Sequence, residues 1–287
     1  MEPLHLIDRA ILALGGPQAR EFLQGLVTND LGQLSPGKAL FAALLSPQGK
    51  ILFDFLVAEG DGALLIDCAA DAREALIRKL RMYRLRAQVE IEARDQLGVF
   101  VALAGHPDNR HTSYAARAVS FADPRHPGLP HRSIGAVAEM PADLPGPAAY
   151  HALRRELGVP EAGDFGSEKI FALDAGLDEL NGVSFTKGCY VGQELTSRMK
   201  HRATARKRIL SVRAAPSDNA LPAPGTPVHV GGQDVGEMLT SEGGDGFALI
   251  RLDRLAESSG PVTAGETTVT LVRPAWLDRP DTASAKD

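Results

Sequence analysis

Short runs of hydrophobic residues, separated by glycine and proline, dominate the first part of the chain. His5–Leu14 is predicted to be extended, and Pro17–Leu26 has helical spacing with proline suited to the first turn. Three further predicted strands are Ala39–Leu45, Ile51–Ala58 and Ala63–Cys68. The turns between these strands are too short for parallel crossovers, so we expect antiparallel pairing.

Helical and extended patterns continue beyond this point. Asp71–Tyr83 has an apolar stripe at helical spacing, and Asp71 is suited to cap the helix. Leu85–Glu92 alternates and predicts a strand, and residues 98–140 predict further sheet. A proline-rich connector then leads to a predicted helix at Ala148–Leu157. This mixture of elements indicates an α+β fold.

From Lys207 onward the pattern changes to short alternating strands with Gly/Pro turns. The predicted strands are Arg208–Arg213, Pro227–Val230, Asp234–Thr240, Phe247–Leu252 and Thr267–Val272. Such a series is typical of a small antiparallel barrel or sandwich. The polar end, Asp278–Asp287, is expected to fray.

Composition narrows the classes of protein that fit. The chain has 287 residues and a net charge of −5, which gives no global reason to expect nucleic acid as the main partner. Two cysteines make a disulfide framework unexpected and favour a reducing compartment. The N-terminus lacks a secretory signal pattern, and no apolar run has membrane-spanning length. We therefore expect a cytoplasmic protein.

The segment Asn181–Glu194 carries the most distinctive chemistry. Gly188 and Gly192 bracket Cys189, so the backbone can turn tightly and approach another group closely. A helical run with several cations follows, and both features favour a reactive thiolate. Cys189 is therefore the candidate functional thiol. Cys68 lies in an apolar run and is expected to be a buried small hydrophobe.

Metal and phosphate motifs are weak. The eight histidines show no metal-binding spacing, and two distant cysteines cannot hold an ordinary iron–sulfur cluster alone. We expect no stably bound metal, and Cys189 is at most a transient cluster ligand. Gly32–Lys38 fits a phosphate-loop pattern, but Ala39 follows it and Pro36 removes a backbone donor, which favours a turn.

Charged residues leave two further alternatives open. The basic run comprises Lys187, Arg198, Lys200, Arg202, Arg206, Lys207 and Arg208. It is either a solvated face or an anion site for ligand carboxylates or a nucleic-acid backbone. Asp54 stands among strand hydrophobics. It is either the polar side of an edge strand or a buried acceptor for an amine or pterin ring.

The octapeptide Lys-Gly-Cys-Tyr-Val-Gly-Gln-Glu at 187–194 resembles the signature of the YgfZ-type folate-binding proteins. These are relatives of the glycine-cleavage T-protein (aminomethyltransferase) that assist iron–sulfur cluster maturation. Weaker matches, significant by their order, are Phe22–Asp30, Leu44–Asp54, Tyr83–Arg86 and Asp123–Arg125. The similarity extends along nearly the whole chain.

The resemblance implies a three-module α+β ring around a tetrahydrofolate pocket, with a C-terminal β-barrel. The expected domains are a folate-binding T-protein-like region at 1–205, built from intertwined modules of roughly 1–95 and 96–205, and a barrel at 206–287. It implies that Cys189 is the functional thiol. Candidate cofactor-binding residues are Asp54, Lys187, Tyr190, Gln193, Glu194 and Arg198. Asp54 would contact the pterin and Arg198 the glutamate tail.

The leading hypothesis is a tetrahydrofolate-binding accessory factor for maturation of [4Fe–4S] proteins, with assembly or client proteins as partners. The enzyme alternative is a folate-dependent aminomethyl or one-carbon transferase. Against it, the T-protein hairpin ends in two adjacent acids, whereas this chain has Phe53-Asp54. A third alternative is an RNA-binding module that uses Lys200–Arg208.

Overall fold

The computed structural model describes residues 3–103, 118–201, 206–216, 218 and 220–278. These residues form two compact units. Unit 1 comprises residues up to Leu153 together with Asn181–Gln193, and unit 2 comprises Arg154–Leu180 and the residues from Glu194 onward. No helix within the described ranges is both long and apolar enough to cross a membrane.

Two antiparallel sheets build unit 1. The strands are β1 (Leu4–His5), β2 (Arg9–Gly15), β3 (Leu40–Leu45), β4 (Ile51–Gly60), β5 (Ala63–Ala69), β6 (Glu90–Ala93), β7 (Leu97–Val101), β8 (Val119–Phe121) and β9 (Arg132–Ala136). One sheet has the order β3-β4-β5-β2-β6 and the other β1-β7-β9-β8. The predicted antiparallel pairing of the three strands after residue 39 is confirmed.

The helices are α1 (Ala19–Gln24), α2 (Arg73–Arg84), α3 (Ala148–Glu156), α4 (Ala162–Phe165), α5 (Gln193–His201) and α6 (Leu252–Glu257). In unit 1, α1 and α2 contribute Leu23, Leu76 and Leu80 to a core that also contains β-strand residues such as Phe55 and Ile66. Burial of these apolar side chains is the main stabilising contribution to the unit.

Three details of the predicted elements in unit 1 are wrong. Helix α2 begins at Arg73, after Ala72, and no side chain caps it, so Asp71 is not its cap. The predicted strand at Leu85–Glu92 begins only at Glu90, because the chain at Leu85 adopts a positive φ that ends the helix without starting a strand. Helix α1 is shorter than its predicted range.

Unit 2 contains a closed antiparallel barrel. Its strands are β10 (Lys207–Ala214), β11 (Pro227–Val230), β12 (Gln233–Glu242), β13 (Asp245–Arg251), β14 (Val262–Ala264) and β15 (Thr267–Val272). They close in the order β10-β13-β12-β11-β14-β15. The predicted barrel is confirmed, although three-residue β14 was not predicted. Predictions for 104–117, for basic residues 202–205 and for the end beyond 278 lie outside the described residues.

Candidate functional site

The two cysteines occupy opposite environments in unit 1. Cys189 is exposed, four residues before the first residue of α5, whereas Cys68 is buried in β5. Burial raises the pKa of the Cys68 thiol to about 12, and its Sγ lies 3.6 Å from the Ala10 carbonyl oxygen. Cys68 is thus the buried hydrophobe that was predicted, and Cys189 is the accessible thiol.

The segment Asn181–Glu194, called the thiol segment below, is held at its beginning by the turn that follows α1. The Thr28 hydroxyl donates to the Gly182 carbonyl (2.6 Å), and the Asn29 amide donates to the Asn181 carbonyl (2.8 Å). The Ser184 backbone N–H in turn donates to the Thr28 carbonyl (2.9 Å). Thr28 and Asn29 belong to the weaker family match Phe22–Asp30 and were not predicted as site residues, because their partners lie about 150 positions away.

Lys187 fastens the middle of the segment. Its ammonium donates to the carbonyl oxygens of Gln24 (2.6 Å), Val27 (2.6 Å) and Asn29 (3.0 Å), which uses all three of its N–H donors. Burial lowers the pKa of Lys187 to about 8, and the Asp30 carboxylate opposes this shift. The geometry gives Lys187 a positioning role close to Cys189.

Gly192 lies close against the β3–β4 turn at the other end of the segment. Gly192 has a φ of 82°, and a Cβ built there would lie 2.6 Å from the Ser46 carbonyl oxygen in the β3–β4 turn. Gly188 has no positive φ, and its Cβ would meet nothing within 4 Å. The predicted close approach is therefore made at Gly192 alone. Cys189 is exposed between the Lys187 and Gly192 contacts.

Two other predicted residues lie near these contacts. Asp54 is 3% exposed in β4, where it pairs with Ala43 across the ladder. The Ala43 N–H donates to the Thr28 hydroxyl (2.9 Å), so one short set of bonds links the Asp54 hairpin to the thiol segment. Tyr190 is buried, and its ring centroid lies 5.1 Å from Lys187 Nζ. This distance suits a cation–π contact.

The last three predicted residues lie in α5. Gln193 is its first residue and is half-buried. Glu194 and Arg198 form an ion pair one helical turn apart, with both side chains largely exposed. A surface pair of this kind contributes little stability, and it occupies the guanidinium that was predicted to meet a ligand carboxylate.

A buried charge network supports the start of the thiol segment. Its members are Arg9, Asp67, Asp123, Arg125, Arg132 and Tyr150. Burial alone would raise the pKa of Asp123, but the charges of Arg125 and Arg132 lower it to about 2. The carbonyl oxygen of Pro124, between Asp123 and Arg125, accepts a 2.9 Å hydrogen bond from the Asn181 side chain. The Asp-Pro-Arg motif therefore positions the residue that begins the thiol segment.

The described residues form a cavity in unit 1 but no cluster of metal ligands. In the described ranges, no group of three His, Cys, Asp or Glu side chains is arranged to hold a metal ion. A cavity of about 480 Å³ in unit 1 lies beside α1 and the β4–β5 turn, with Arg20 and Glu59 in its wall. None of the predicted site residues lines this cavity.

Comparison with solved structures defines the class of protein. The glycine cleavage system aminomethyltransferase T from Bartonella henselae matches with a TM-score of 0.73 and 16% identity, over 96% of this chain and 85% of that chain. Residues 206–279 match the family model described as CAF17, C-terminal beta-barrel domain. The chain is thus a T-protein-like α+β protein with a closed C-terminal barrel, as predicted.

Curated relatives then identify the family. The human mitochondrial iron–sulfur cluster assembly factor IBA57 is 34% identical over 87% of this chain and 77% of its own length. The mouse protein is 31% identical over 94% and 84%, and the Coccidioides immitis homologue is 28% identical over 96% and 82%. The chain belongs to the IBA57 family of iron–sulfur cluster assembly factors. The resemblance predicted from the octapeptide is confirmed at this level.

The relatives also correct one prediction. A cytoplasmic location was expected from the absence of a secretory pattern and from the two cysteines. The human, mouse and fungal relatives are all described as mitochondrial. The cytoplasmic prediction is therefore wrong, because reducing conditions and the lack of a secretory signal do not distinguish the cytoplasm from the mitochondrion.

Proposed function

We propose that this protein assists the maturation of iron–sulfur proteins through the exposed thiol of Cys189. The observation that carries the proposal is the geometry of the loop. Lys187 holds one side of the loop by hydrogen bonds and Gly192 lies close against the β3–β4 turn on the other, while Cys189 between them stays exposed. The names of the relatives, iron–sulfur cluster assembly factors, support the same function.

The chemistry follows from what one thiol can do. An ordinary cluster needs four thiolates, and this chain contains two cysteines, of which Cys68 is buried. Cys189 therefore acts together with a partner protein that supplies the other ligands of the cluster, which is the cargo. On binding iron, the Cys189 thiol releases its proton to water and coordinates as the thiolate.

Genetic complementation tests this proposal. The chain is expressed in a strain that lacks its own family member, and the activity of a [4Fe–4S] enzyme is measured beside that of an enzyme without a cluster. We expect the chain to restore most of the [4Fe–4S] activity and to leave the other enzyme unchanged. A chain that accumulates normally but restores no [4Fe–4S] activity contradicts the proposal.

We further propose that unit 1 binds tetrahydrofolate, with Asp54 as the acceptor for the pterin ring. A buried carboxylate suits a ring that presents adjacent N–H donors, so the residues fit this half of the ligand. The two cations among the predicted site residues fit the anionic glutamate tail less well. Lys187 already bonds three carbonyls, and Arg198 pairs with Glu194. Tetrahydrofolate, when bound, would supply one-carbon chemistry; Asp54 would orient it.

Calorimetric titration with tetrahydrofolate tests the ligand separately from the thiol. Asp54→Asn is expected to weaken binding about tenfold or more, because charge-assisted hydrogen bonds contribute roughly 1.5–3 kcal/mol. Asp61→Asn, in the exposed turn between β4 and β5, is the matched control and should bind like the unaltered chain. Equal affinity of Asp54→Asn and the control contradicts the assignment of Asp54.

The basic segment supports the RNA alternative less well. Lys200 lies 3.2 Å from Asp178, Arg208 3.1 Å from Glu179 and Arg206 3.9 Å from Asp253. Each of these described cations thus lies within ion-pair distance of a carboxylate. For the transferase alternative, the similarity to aminomethyltransferase T is a likeness of fold, and the hairpin has the single acid Asp54 after Phe53.

A further inference from the structure

The second half of α2 and the turn after it expose an unusual set of side chains. We define the basic–apolar patch as Arg78, Met82, Arg84, Leu85 and Arg86, all of which are exposed. Met82 is 67% exposed and Leu85 86% exposed, the two highest values among the large hydrophobic residues described. Large apolar side chains at such exposure, close together and rimmed by polar groups, mark interaction sites.

Helix geometry places part of the patch on the side of α2 that faces away from the core. Leu76, Ile77 and Leu80 are buried in the core of unit 1. Arg78 and Met82 are four residues apart in α2, so they lie on a common face, and Leu85 follows directly after the last residue of the helix. The two apolar side chains of the patch, Met82 and Leu85, are thus three positions apart in the sequence, and both are exposed to solvent.

The backbone at Leu85 provides an independent observation. Its φ is 45° and its ψ −107°, at the end of α2. A side chain is unfavourable at positive φ, a region that glycine adopts most readily. This chain instead places a leucine there and leaves its side chain in solvent. Residues with strained backbone conformations cluster at functional sites.

The charge of the patch is uniform. From Ala75 to Val89 the sequence contains five cations, at 78, 79, 81, 84 and 86, and no acid, although the whole chain has a net charge of −5. Arg81 and Arg84 donate to the carbonyls of Ile91 and Val89. Arg78 and Arg86 form no ion pair or hydrogen bond with any residue that the structure describes. Their charges are thus available to an acidic partner.

We propose that the basic–apolar patch binds an acidic amphipathic segment of a partner protein. Carboxylates of that segment meet Arg78 and Arg86, and a large apolar side chain packs on Met82 and Leu85. Arginine and methionine are enriched at protein interfaces, and a desolvated apolar centre within a charged rim is the usual arrangement of a binding hot spot. The proposal does not depend on the thiol chemistry, because the patch shares no residue with the thiol segment.

Two other occupants fit the patch less well. Binding of nucleic acid would use the arginines but not the exposed Met82 and Leu85 side chains. The adjacent Tyr83 is half-buried and packs against the core of unit 1, so its ring is poorly placed for base stacking. A membrane surface would use both features, but two apolar side chains supply too little buried area for stable anchoring. The combination of uniform positive charge with a small apolar centre favours a protein.

Fluorescence anisotropy with synthetic probes tests the proposal on the whole chain. The probe is a helical peptide of glutamate and leucine, and a glutamate–serine peptide, polyuridylate and anionic phosphatidylglycerol vesicles serve as comparisons. The glutamate–leucine peptide should bind most tightly at physiological salt. Leu85→Gly and the double variant Arg78→Glu/Arg86→Glu should each weaken it about tenfold, as expected for hot-spot residues.

Matched controls separate binding from folding. Leu85→Gly should leave the thermal midpoint unchanged or raise it, since glycine suits the local backbone. Asp61→Gly, which relieves a similar φ of 51° outside the patch, is the control for Leu85→Gly. Lys38→Glu/Lys169→Glu changes the net charge by the same amount as the double arginine variant and is its control. Both control variants should bind the peptide as the unaltered chain does. The proposal is overturned by a lower midpoint for Leu85→Gly, by no peptide binding, by binding insensitive to either patch variant, or by tighter binding to RNA or vesicles.

Discussion

At the scale of single residues, the contrast between the two thiols determines the chemistry. Cys189 is exposed, whereas Cys68 is buried and burial raises its pKa to about 12. Thiolates are the reactive form, so Cys68 is inert on two counts: it is inaccessible and it is protonated at neutral pH. One cysteine of this chain is therefore available to a partner or to a cluster.

A thiol titration with an aromatic disulfide reagent measures this contrast. The native chain should release about one equivalent of chromophore rapidly and about two after denaturation, since unfolding exposes Cys68. Cys189→Ala should react only after denaturation, whereas Cys68→Ala should react in the native state. Rapid reaction of both thiols in the native chain contradicts the burial of Cys68.

Lys187 shows why part of the site could not be predicted. The sequence around Cys189 indicates an accessible thiol, because glycines and a following helix are local features. The ligand-contact role assigned to Lys187 came from the octapeptide and remains a prediction. The structure directs its ammonium to three carbonyls about 160 residues away, at the end of α1. Periodicity and spacing cannot indicate partners at that separation.

At the scale of elements, the thiol segment is hydrogen-bonded to the end of α1 and lies close against the β3–β4 hairpin. Lys187 contacts the carbonyl of Gln24, the last residue of α1, where the helix dipole favours a cation. Gly192 contacts the hairpin turn at Ser46. Three motifs that are distant in the sequence thus meet here: Phe22–Asp30, Leu44–Asp54 and the octapeptide at 187–194. Their convergence gives the thiol a defined position.

A pair of glycine variants tests the hairpin contact. Gly192→Ala should destabilise unit 1 by roughly 1–3 kcal/mol and displace the loop, because its φ is 82° and its Cβ would lie 2.6 Å from a carbonyl oxygen. Gly188→Ala, whose Cβ meets nothing within 4 Å, should be close to neutral. Denaturant unfolding measures the difference, and equal stability of the two variants would show that the close approach is absent.

The predictability of the elements follows from their length and regularity. Barrel strands such as β11 and β15 were predicted with their observed bounds, because alternation between Gly/Pro turns is a local pattern. The three-residue β14 is too short to alternate recognisably. The stretch after α2 was predicted as strand from its alternation, but the backbone at Leu85 turns away from the extended region, and this turn leaves no periodic signal.

At the scale of the whole molecule, two buried carboxylates, one in each unit, make opposite contributions to the pH dependence of stability. In unit 1, arginines lower the pKa of Asp123 to about 2, so the stability it contributes is present above pH 4 and is lost as the pH falls towards 2. In unit 2, burial raises the pKa of Asp174 to about 6, with Arg208 and Lys207 opposing. Folding therefore favours protonated Asp174, and the stability that this protonation contributes is lost as the pH rises from 4 through 6.

Asp174→Asn tests the second trend. The neutral amide removes the cost of a buried carboxylate, so the variant should be more stable than the unaltered chain by about 1–2 kcal/mol at pH 8, with no gain near pH 4. Glu257→Gln, an exposed acid of the same unit, should show no such pH-dependent gain. Calorimetric unfolding at both pH values measures the effect. A gain of equal size at both pH values would contradict the raised pKa of Asp174.

The central claim is that assembly of iron–sulfur proteins depends on the Cys189 thiol. Its most direct test is the activity of a [4Fe–4S] enzyme in a strain that lacks its own family member and expresses Cys189→Ala or Cys68→Ala at equal levels. We predict that Cys189→Ala leaves the activity at the level of the strain without the gene, while Cys68→Ala restores most of it. Restoration by Cys189→Ala equal to that by the unaltered chain would contradict the claim.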